Sequence, residues 1–282
     1  MRKLLVIILS AFIFTTSSAD TSKIKDNFFS SIENFLNGNF ENTDFSIKSK
    51  EGKKPEIGIL TFKPFNDTDN GLNFFQGSFF THDGDRETLN LGYGQRFFNS
   101  DKSFLYGLNI FYDHELDYDH QRASIGGEIS SSILELNTNH YFSISNERTG
   151  KNNVKEEVAD GYDFELGAHV PYIPTAKIYA KIFEYEIPGG SDFEGMEYSS
   201  NVGIPNSGLN VEVGFKDFGN ASYDDQWFIN LTFNSSRTNK YKTFFTKEAF
   251  EKISMEDKKY DKVRRENLIL KSKAFSVKAG GF

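Results

Sequence analysis

Residues 104–145, FLYGLNIFYDHELDYDHQRASIGGEISSSILELNTNHYFSIS, alternate apolar and polar side chains through three successive segments. A period of two puts one row of side chains on each face of an extended strand, so the stretch reads as a three-stranded meander. In the first segment Tyr106, Leu108, Ile110 and Tyr112 share one face, opposite Gly107, Asn109 and Asp113, and Phe111 alone breaks the rule. The second opposes Ala123, Ile125 and Ile129 to Arg122, Ser124 and Glu128. The third opposes Leu134, Leu136, Phe142 and Ile144 to Glu135, Asn137 and Asn139. A charged row against an apolar row is what a barrel with a lipid-facing outside and a wet inside requires.

Composition agrees with that reading. The chain has 282 residues with 30 Phe and 13 Tyr, yet only 38% of it is apolar, with 23 Gly and no Cys. Many rings among few aliphatic residues suit a single-layer barrel with aromatic girdles better than a globular core. Without Cys there are no disulfide staples and no lipid-modified Cys, so stability has to come from strand pairing and packing. Arg2 and Lys3, an apolar run over residues 4–14, and Ser17-Ser18-Ala19 read as a secretory signal peptide over residues 1–19, cut near Ala19. That run is too short to span about 30 Å of hydrocarbon as a helix, which needs roughly 20 apolar residues. No later window is apolar enough, so membrane residence has to be as a barrel. Charge is split unevenly: residues 20–234 hold 17 Lys and Arg against 34 Asp and Glu, and residues 235–282 hold 13 against 6. An acidic body is followed by a basic tail.

Residues 20–39 form a segment of their own, in which Ile24, Phe28, Ile32, Phe35 and Leu36 recur at helical spacing; this predicts a short amphipathic, periplasmic helix ended by Gly38. Residues 40–234 carry twelve candidate strands, centred near residues 45, 59, 76, 92, 109, 125, 139, 166, 180, 198, 212 and 229. Bacterial outer-membrane barrels keep short turns on the periplasmic side and longer loops outside. With the first strand running outward, the longest connection, residues 146–161, and the acidic PGGSDFEGM and FGNASYDD segments fall outside. NSDK, PYIP and IPNS fall inside. PFNDTDNG after the second strand is the exception, long for a turn.

On this frame Arg96, Asn109, Asp113, Arg122, Glu128, Asp163, Glu165, Lys177, Lys181, Glu212 and Lys216 fall on the inner face and are the pore-lining candidates. A Lys or Arg facing lipid at the midplane costs about 2–4 kcal/mol, so their shared parity argues for the lumen. A secreted β-sandwich, apolar inside and polar outside, would show the same alternation. The even strand number, the loop asymmetry and the aromatic load favour the barrel.

These blocks resemble the β-domain of inverse autotransporters, the intimin and invasin group of Gram-negative outer-membrane adhesins. GLNFFQGSFFTHDGDRETLNLGYGQRFF (residues 71–98) is similar to the family's third and fourth strands, and YGLNIFYDHELDYDHQRASIGGE (residues 106–128) to its fifth and sixth. DGYDFELGAHVPYIPTAKIYAKIFEYE (residues 160–186) is similar to its eighth and ninth. The resemblance implies a twelve-stranded antiparallel transmembrane β-barrel with its N-terminus in the periplasm, whose pore the following chain re-enters to export a C-terminal passenger. KYDKVRRENLILKSK (residues 259–273) is similar to the family's linker, which makes Lys262, Arg264, Arg265 and Asn267 linker-motif candidates. Family members usually continue into immunoglobulin-like repeats and a lectin-like tip. The sequence stops at Phe282, so neither a passenger nor a host receptor is expected. The tail is long enough to cross, because a roughly 25 Å apolar band takes only about 8 extended residues.

Other motifs take plainer readings. Asp113, His114 and His120 are ordinary ligand types, but parity separates Asp113 from His114 and no further ligand is spaced to complete a site, so no metal is expected. Asp117, Asp119, Asp224 and Asp225 read as solvated loop acids. Gly92-Tyr93-Gly94 lies within a strand, lacks the context of a phosphate loop, and makes room for whatever occupies the pore. No Ser and His stand in a triad pattern, and no catalytic or cofactor-binding residue is expected. Trp227, Leu231 and Phe233 resemble the aromatic-terminated signal that barrel-assembly machinery reads in a final strand, with Phe228 where Gly is common.

The expectation is a non-enzymatic outer-membrane barrel over residues 40–234, serving as anchor and translocation pore for its own basic tail, residues 235–282, which sits in or near the pore. Its partners would be outer-membrane lipid and lipopolysaccharide, the barrel-assembly machinery and periplasmic chaperones, with no nucleic acid. The alternative is a stand-alone pore or structural barrel plugged by the tail. Heat-modifiable gel mobility of an outer-membrane fraction is the expected outcome; recovery as a soluble periplasmic protein would defeat the barrel.

Overall fold

The computed structural model describes residues 42–84, 86–220, 222–234, 243–250 and 255–272. The signal peptide and the N-terminal helix read from the sequence lie outside them. The strands are β1 (Thr43–Lys50), β2 (Glu56–Thr68), β3 (Gly71–His82), β4 (Arg86–Phe98), β5 (Leu105–Glu115), β6 (His120–Ser130), β7 (Leu134–Ser143), β8 (Arg148–Thr149), β9 (Lys155–Glu156), β10 (Asp160–Val170), β11 (Ile173–Glu186), β12 (Phe193–Gly203), β13 (Leu209–Phe218) and β14 (Gln226–Asn234). Twelve of them close into one antiparallel barrel, while β8 and β9 make a small hairpin within the connection from β7 to β10. β1 closes the ring against β14, from Asp44 opposite Asn234 to Lys50 opposite Phe228. All twelve expected strand centres fall inside the barrel strands. Closure leaves no open edge, the condition for sheet structure in hydrocarbon, where no water is present to satisfy backbone groups.

Exposure follows the predicted parity. Along β5, Leu108 and Ile110 are 60% and 57% exposed, while Asn109, Phe111 and Asp113 are buried. Rings gather towards both ends of the outer face: Phe65, Phe75 and Tyr93 pack together near one rim, and Phe215 packs on Trp227 near the other. These are the two aromatic girdles of a membrane barrel.

The rim where β1 begins and β14 finishes, the terminal end, carries the connections 69–70, 99–104, 131–133, 171–172 and 204–208. The opposite rim, the loop end, carries 51–55, 83–85, 116–119, 144–159, 187–192 and 219–225. The asymmetry has the expected sign and is carried mainly by residues 144–159. One expectation changes: PFNDTDNG is not a long turn, because β2 runs on to Thr68 and only residues 69–70 connect it to β3. The Phe62 N–H still donates to the Asn42 carbonyl on the β1 side. Pro64, two residues on, would point its missing N–H the same way, past the end of β1. Proline is tolerated there because, among the described residues, no ladder bond is lost.

Inside, bulky rings and glycines are matched across strands. Gly92 lies opposite Phe111, Gly94 opposite Phe74, Gly167 opposite Tyr179 and Gly214 opposite Phe228. A Cβ added to Gly92 would meet the Phe111 ring at 2.1 Å, and one on Gly94 the Phe74 ring at 2.2 Å. Each ring therefore lies flat over a neighbouring glycine instead of projecting into the pore, a cross-strand pairing known to rescue glycine in sheets. The room made by Gly92 and Gly94 is thus taken by wall rings, and the pore's occupant rests on those rings. Phe228, inward and stacked over Gly214, carries Lys48 at 4.2 Å from its ring centre.

Replacing Ile110 by Lys puts a charge on the lipid face at mid-strand. The expected outcome is a loss of about 2–4 kcal/mol in equilibrium unfolding from liposomes; a loss below about 0.5 kcal/mol would show that Ile110 does not face lipid.

Candidate functional site

The inner wall is acidic and the tail supplies the cations. A helical turn at Met255–Lys258 lies at the terminal end, where Lys258 donates to the Ser131 carbonyl at 3.0 Å and to Glu135 at 2.5 Å. Lys259 and the Tyr260 hydroxyl both donate to Asp67. Lys262 reaches Asn42 at 2.6 Å and Asp44 at 3.1 Å. From there the chain climbs the lumen to Ser272, which lies against residue 157 of the longest loop. The tail therefore passes through the barrel from the terminal end to the loop end.

Mid-pore contacts are set by alternation along the tail. Val263 packs among Phe62, Leu72, Phe74 and Phe111, and its N–H donates to the Gln76 side-chain oxygen at 2.9 Å. Arg264 turns the other way, donating to both oxygens of Glu165 at 2.5 and 2.9 Å and to Glu212 at 3.1 Å, with its guanidinium 3.7 Å above the Tyr179 ring. Arg265 forks onto both oxygens of Asp113 at 2.8 and 2.7 Å and rests 4.2 Å from the Phe111 ring centre. Asp113 also accepts from Arg122 at 2.9 Å and from Asn90 at 2.7 Å. Planar, bidentate geometry of this kind is what Arg offers and Lys does not.

The wall also reads the tail's backbone. Arg96 donates to the carbonyls of Lys259 and Asp261, Asn139 to that of Arg264, Arg122 to that of Glu266, and Asn90 to that of Asn267. The Glu266 N–H donates to the Tyr141 hydroxyl, which donates in turn to Asp163 at 2.7 Å. A buried backbone group without a partner is costly, so an irregular segment inside a barrel needs such side chains.

Every pore-lining candidate lies on the inner wall. Arg96 forks onto Glu128, Lys177 pairs with Glu135, Lys181 and Lys216 share Glu197, and Asn109 is buried over Gly126. Of the linker candidates, Lys262, Arg264 and Arg265 contact acids, whereas Asn267 is held through its carbonyl. Trp227 is outward and 58% exposed, while Leu231 and Phe233 are partly buried between β1 and β13. A cavity of about 760 Å³ runs beside the tail, lined in part by Ser46, Lys48, Asn210, Asn230 and Thr232.

Sequence reasoning passed over the network at the loop end. Arg86 donates to Glu115 at 2.7 Å and to Glu156 at 2.6 Å, His120 and Glu156 are 3.1 Å apart, and Lys271 donates to Glu115. Glu115 was legible, two residues beyond Asp113 on the same face. Glu156 was not, because it comes from a loop that folds inward. Burial alone would push the Glu156 carboxyl up, but His120 and Arg86 bring it down to about 2. Ligand-type atoms of Glu115, His120 and Glu156 lie within 4.8 Å of one another, a grouping different from the Asp113, His114 and His120 set considered above. Its two carboxylates are already neutralised by Arg86 and Lys271, so the cluster is read as an ion network. His114 faces outward and pairs with Asp119 at 2.9 Å.

Comparison with known proteins fits this architecture. The chain is 26% identical to intimin of Escherichia coli O111:H- over 216 residues, covering 73% of this chain and 23% of that one. It is 27% identical to invasin of Yersinia enterocolitica over 161 residues, covering 56% of this chain and 19% of that one. The chain thus spans about a quarter or less of the length of these relatives. A solved structure from a study of in-meso crystallisation of membrane proteins superposes with a TM-score of 0.66 at 21% identity, over 82% of this chain and 99% of that one, and shows the same fold. The family model described as "Inverse autotransporter, beta-domain" matches residues 15–267, so the chain, an outer-membrane β-barrel, belongs to the inverse autotransporter β-domain family.

Proposed function

We propose that this barrel anchors the chain in the outer membrane and provides the pore through which its own C-terminal segment reaches the surface, with no enzymatic step. The observation that carries the reading is the path of residues 258–272, which run from one rim to the other with a wall partner at each level. On this reading the signal peptide is removed near Ala19, the terminal end faces the periplasm and the loop end faces outward. Periplasmic chaperones and the barrel-assembly machinery deliver the chain, the latter reading Trp227, Leu231 and Phe233, and lipopolysaccharide surrounds the outer girdle.

The charge pattern supports arrest as well as passage. Asp113 is fully buried between two guanidinium groups, and both it and Arg265 are 0% exposed at the side chain. Breaking one partner of a buried, hydrogen-bonded ion pair costs about 3–5 kcal/mol, so the tail has one favoured register. A tail that serves only as a plug for a stand-alone pore would fill the lumen in the same way. The side on which the chain beyond residue 272 emerges separates the two.

A C-terminal epitope tag on the full chain, in intact cells treated with external protease, is expected to be cut without permeabilising the outer membrane. A tag cut only after permeabilisation would leave the tail as a plug. Asp113→Asn is expected to lower stability in micelles by about 3–5 kcal/mol in urea unfolding, since Arg122 and Arg265 lose their shared counter-charge; a change under about 1 kcal/mol would show that the register does not depend on it.

A further inference from the structure

The longest connection, residues 144–159, does not spread over the rim as a surface loop. It folds inward and is fastened to the wall. Glu156 takes two hydrogen bonds from Arg86 of β4, at 3.0 and 2.6 Å, and lies 3.1 Å from His120 of β6. Ala159, fully buried, packs among Tyr141, Phe183, Tyr185 and Phe193 of the wall. Gly150 backs onto the Glu156 carboxylate so closely that an added Cβ would lie 2.3 Å from it. None of these anchors is a tail residue.

What the loop offers the tail is backbone. The Ala159 N–H donates to the Leu270 carbonyl at 3.0 Å, and the Ser272 N–H donates to the Glu157 carbonyl at 2.8 Å, with Val158 bridged antiparallel to Lys271. Two main-chain hydrogen bonds thus flank one isolated antiparallel bridge on an inward-folded loop, and beside them the Glu157 N–H donates to the Ser272 hydroxyl at 2.9 Å. Mid-pore recognition, by contrast, depends on named side chains: Gln76, Asp113, Tyr141, Glu165 and Glu212.

We propose that residues 157–159 form a strand-addition edge, mounted on the barrel wall, that grips the chain leaving the pore through its main chain. The partner it fits is an extended, non-proline segment of nearly any side-chain sequence, because ladder bonds recognise N–H and C=O groups that every residue except proline supplies. The tail meets that requirement: all six prolines of the chain precede residue 206. The edge guides each successive residue pair into extended form at the exit, and it stays in place whether or not the final register has been reached. The inference rests on the export reading above, which fails or stands on the external-protease experiment, whereas the grip fails or stands on hydrogen exchange.

The test is amide hydrogen exchange of the full chain in micelles, read at the loop amides 157–159, the exit amides 270–272 and the mid-pore amides 263–266. Ser272→Ala removes the side-chain hydrogen bond that the tail makes with the loop, from the Glu157 N–H to the Ser272 hydroxyl, and is expected to leave protection at residues 159 and 272 within about threefold of the parent. Glu156→Gln releases the loop from Arg86, and Gly150→Ala displaces Glu156 sterically. Each is expected to lower protection at 157–159 and 270–272 by about tenfold or more while residues 263–266 stay protected. Loss of exit protection in Ser272→Ala equal to that in Glu156→Gln would overturn the main-chain grip. So would full exit protection in both loop variants. An unprotected Val263 amide in the parent chain would instead overturn the threaded tail itself, a distinct result.

Discussion

Asp113 between Arg122 and Arg265 is the contact on which the rest of the interior depends. A carboxylate taken out of water is tolerated only when paired and hydrogen-bonded, and here one acid is shared by a wall cation and a tail cation. With the tail out of the pore the wall would hold acids in excess, and water would have to fill the lumen to screen them. With the tail in, Glu165, Glu212, Glu135 and Glu115 each gain a partner from it. The acidic body and basic tail of the sequence are therefore two halves of one electrostatic arrangement. Glu266, one of the tail's own acids, is placed within 4.0 Å of Lys216.

Charge alone would not set a register, because attraction between a basic strand and an acidic tube is tolerant of sliding. Shape supplies the rest. Rings lying over cross-strand glycines leave a lumen with flat aromatic platforms at defined heights, and a guanidinium stacked on a ring and forked onto a carboxylate is constrained in both position and plane. Arg265 over Phe111 with Asp113, and Arg264 over Tyr179 with Glu165, are two such fixtures facing opposite walls. Sliding by one residue would exchange their directions and bring Val263 or Glu266 to an acidic wall. The inward Phe111, which looks like an error in the alternation of residues 104–113, is one half of the fixture.

Most of the barrel was legible because one periodicity governs it. Lipid outside and charge inside impose a period of two on every strand, so strand centres, faces and the inner location of Arg96, Asp163 or Lys181 follow from parity alone. Legibility failed where the backbone departs from that rule. In β2, Pro64 reads as the start of a turn until β1 is known to begin at Thr43, which leaves that stretch without a second neighbour among the described residues. The connection after the seventh strand reads only as the longest outer loop, since nothing local marks Glu156 as the partner of an Arg some 70 positions earlier. Long-range pairs of this kind are fixed by closure of the barrel, which brings β4, β6 and the loop together, and leave no spacing for a sequence to display.

The two parts of the tail's path therefore answer to different constraints. Between Lys262 and Glu266 each side chain has its own seat, and a substitution there exchanges a buried partner for a buried orphan. At residues 270–272 the bonds are to backbone, and Leu270 contributes its apolar packing against the wall rings as well. On the proposed export reading, a chain that passes many different residues through one opening cannot be gripped by side-chain recognition at the exit, because each new residue would present a new chemistry. It can be stopped by side-chain recognition in the middle, where only the last residues to pass carry the matching pattern. On that reading a main-chain edge at the rim and an arginine lock at the centre meet the two demands separately, and the tail's own charge contact at the loop end, Lys271 to Glu115, falls on an acid already paired with Arg86.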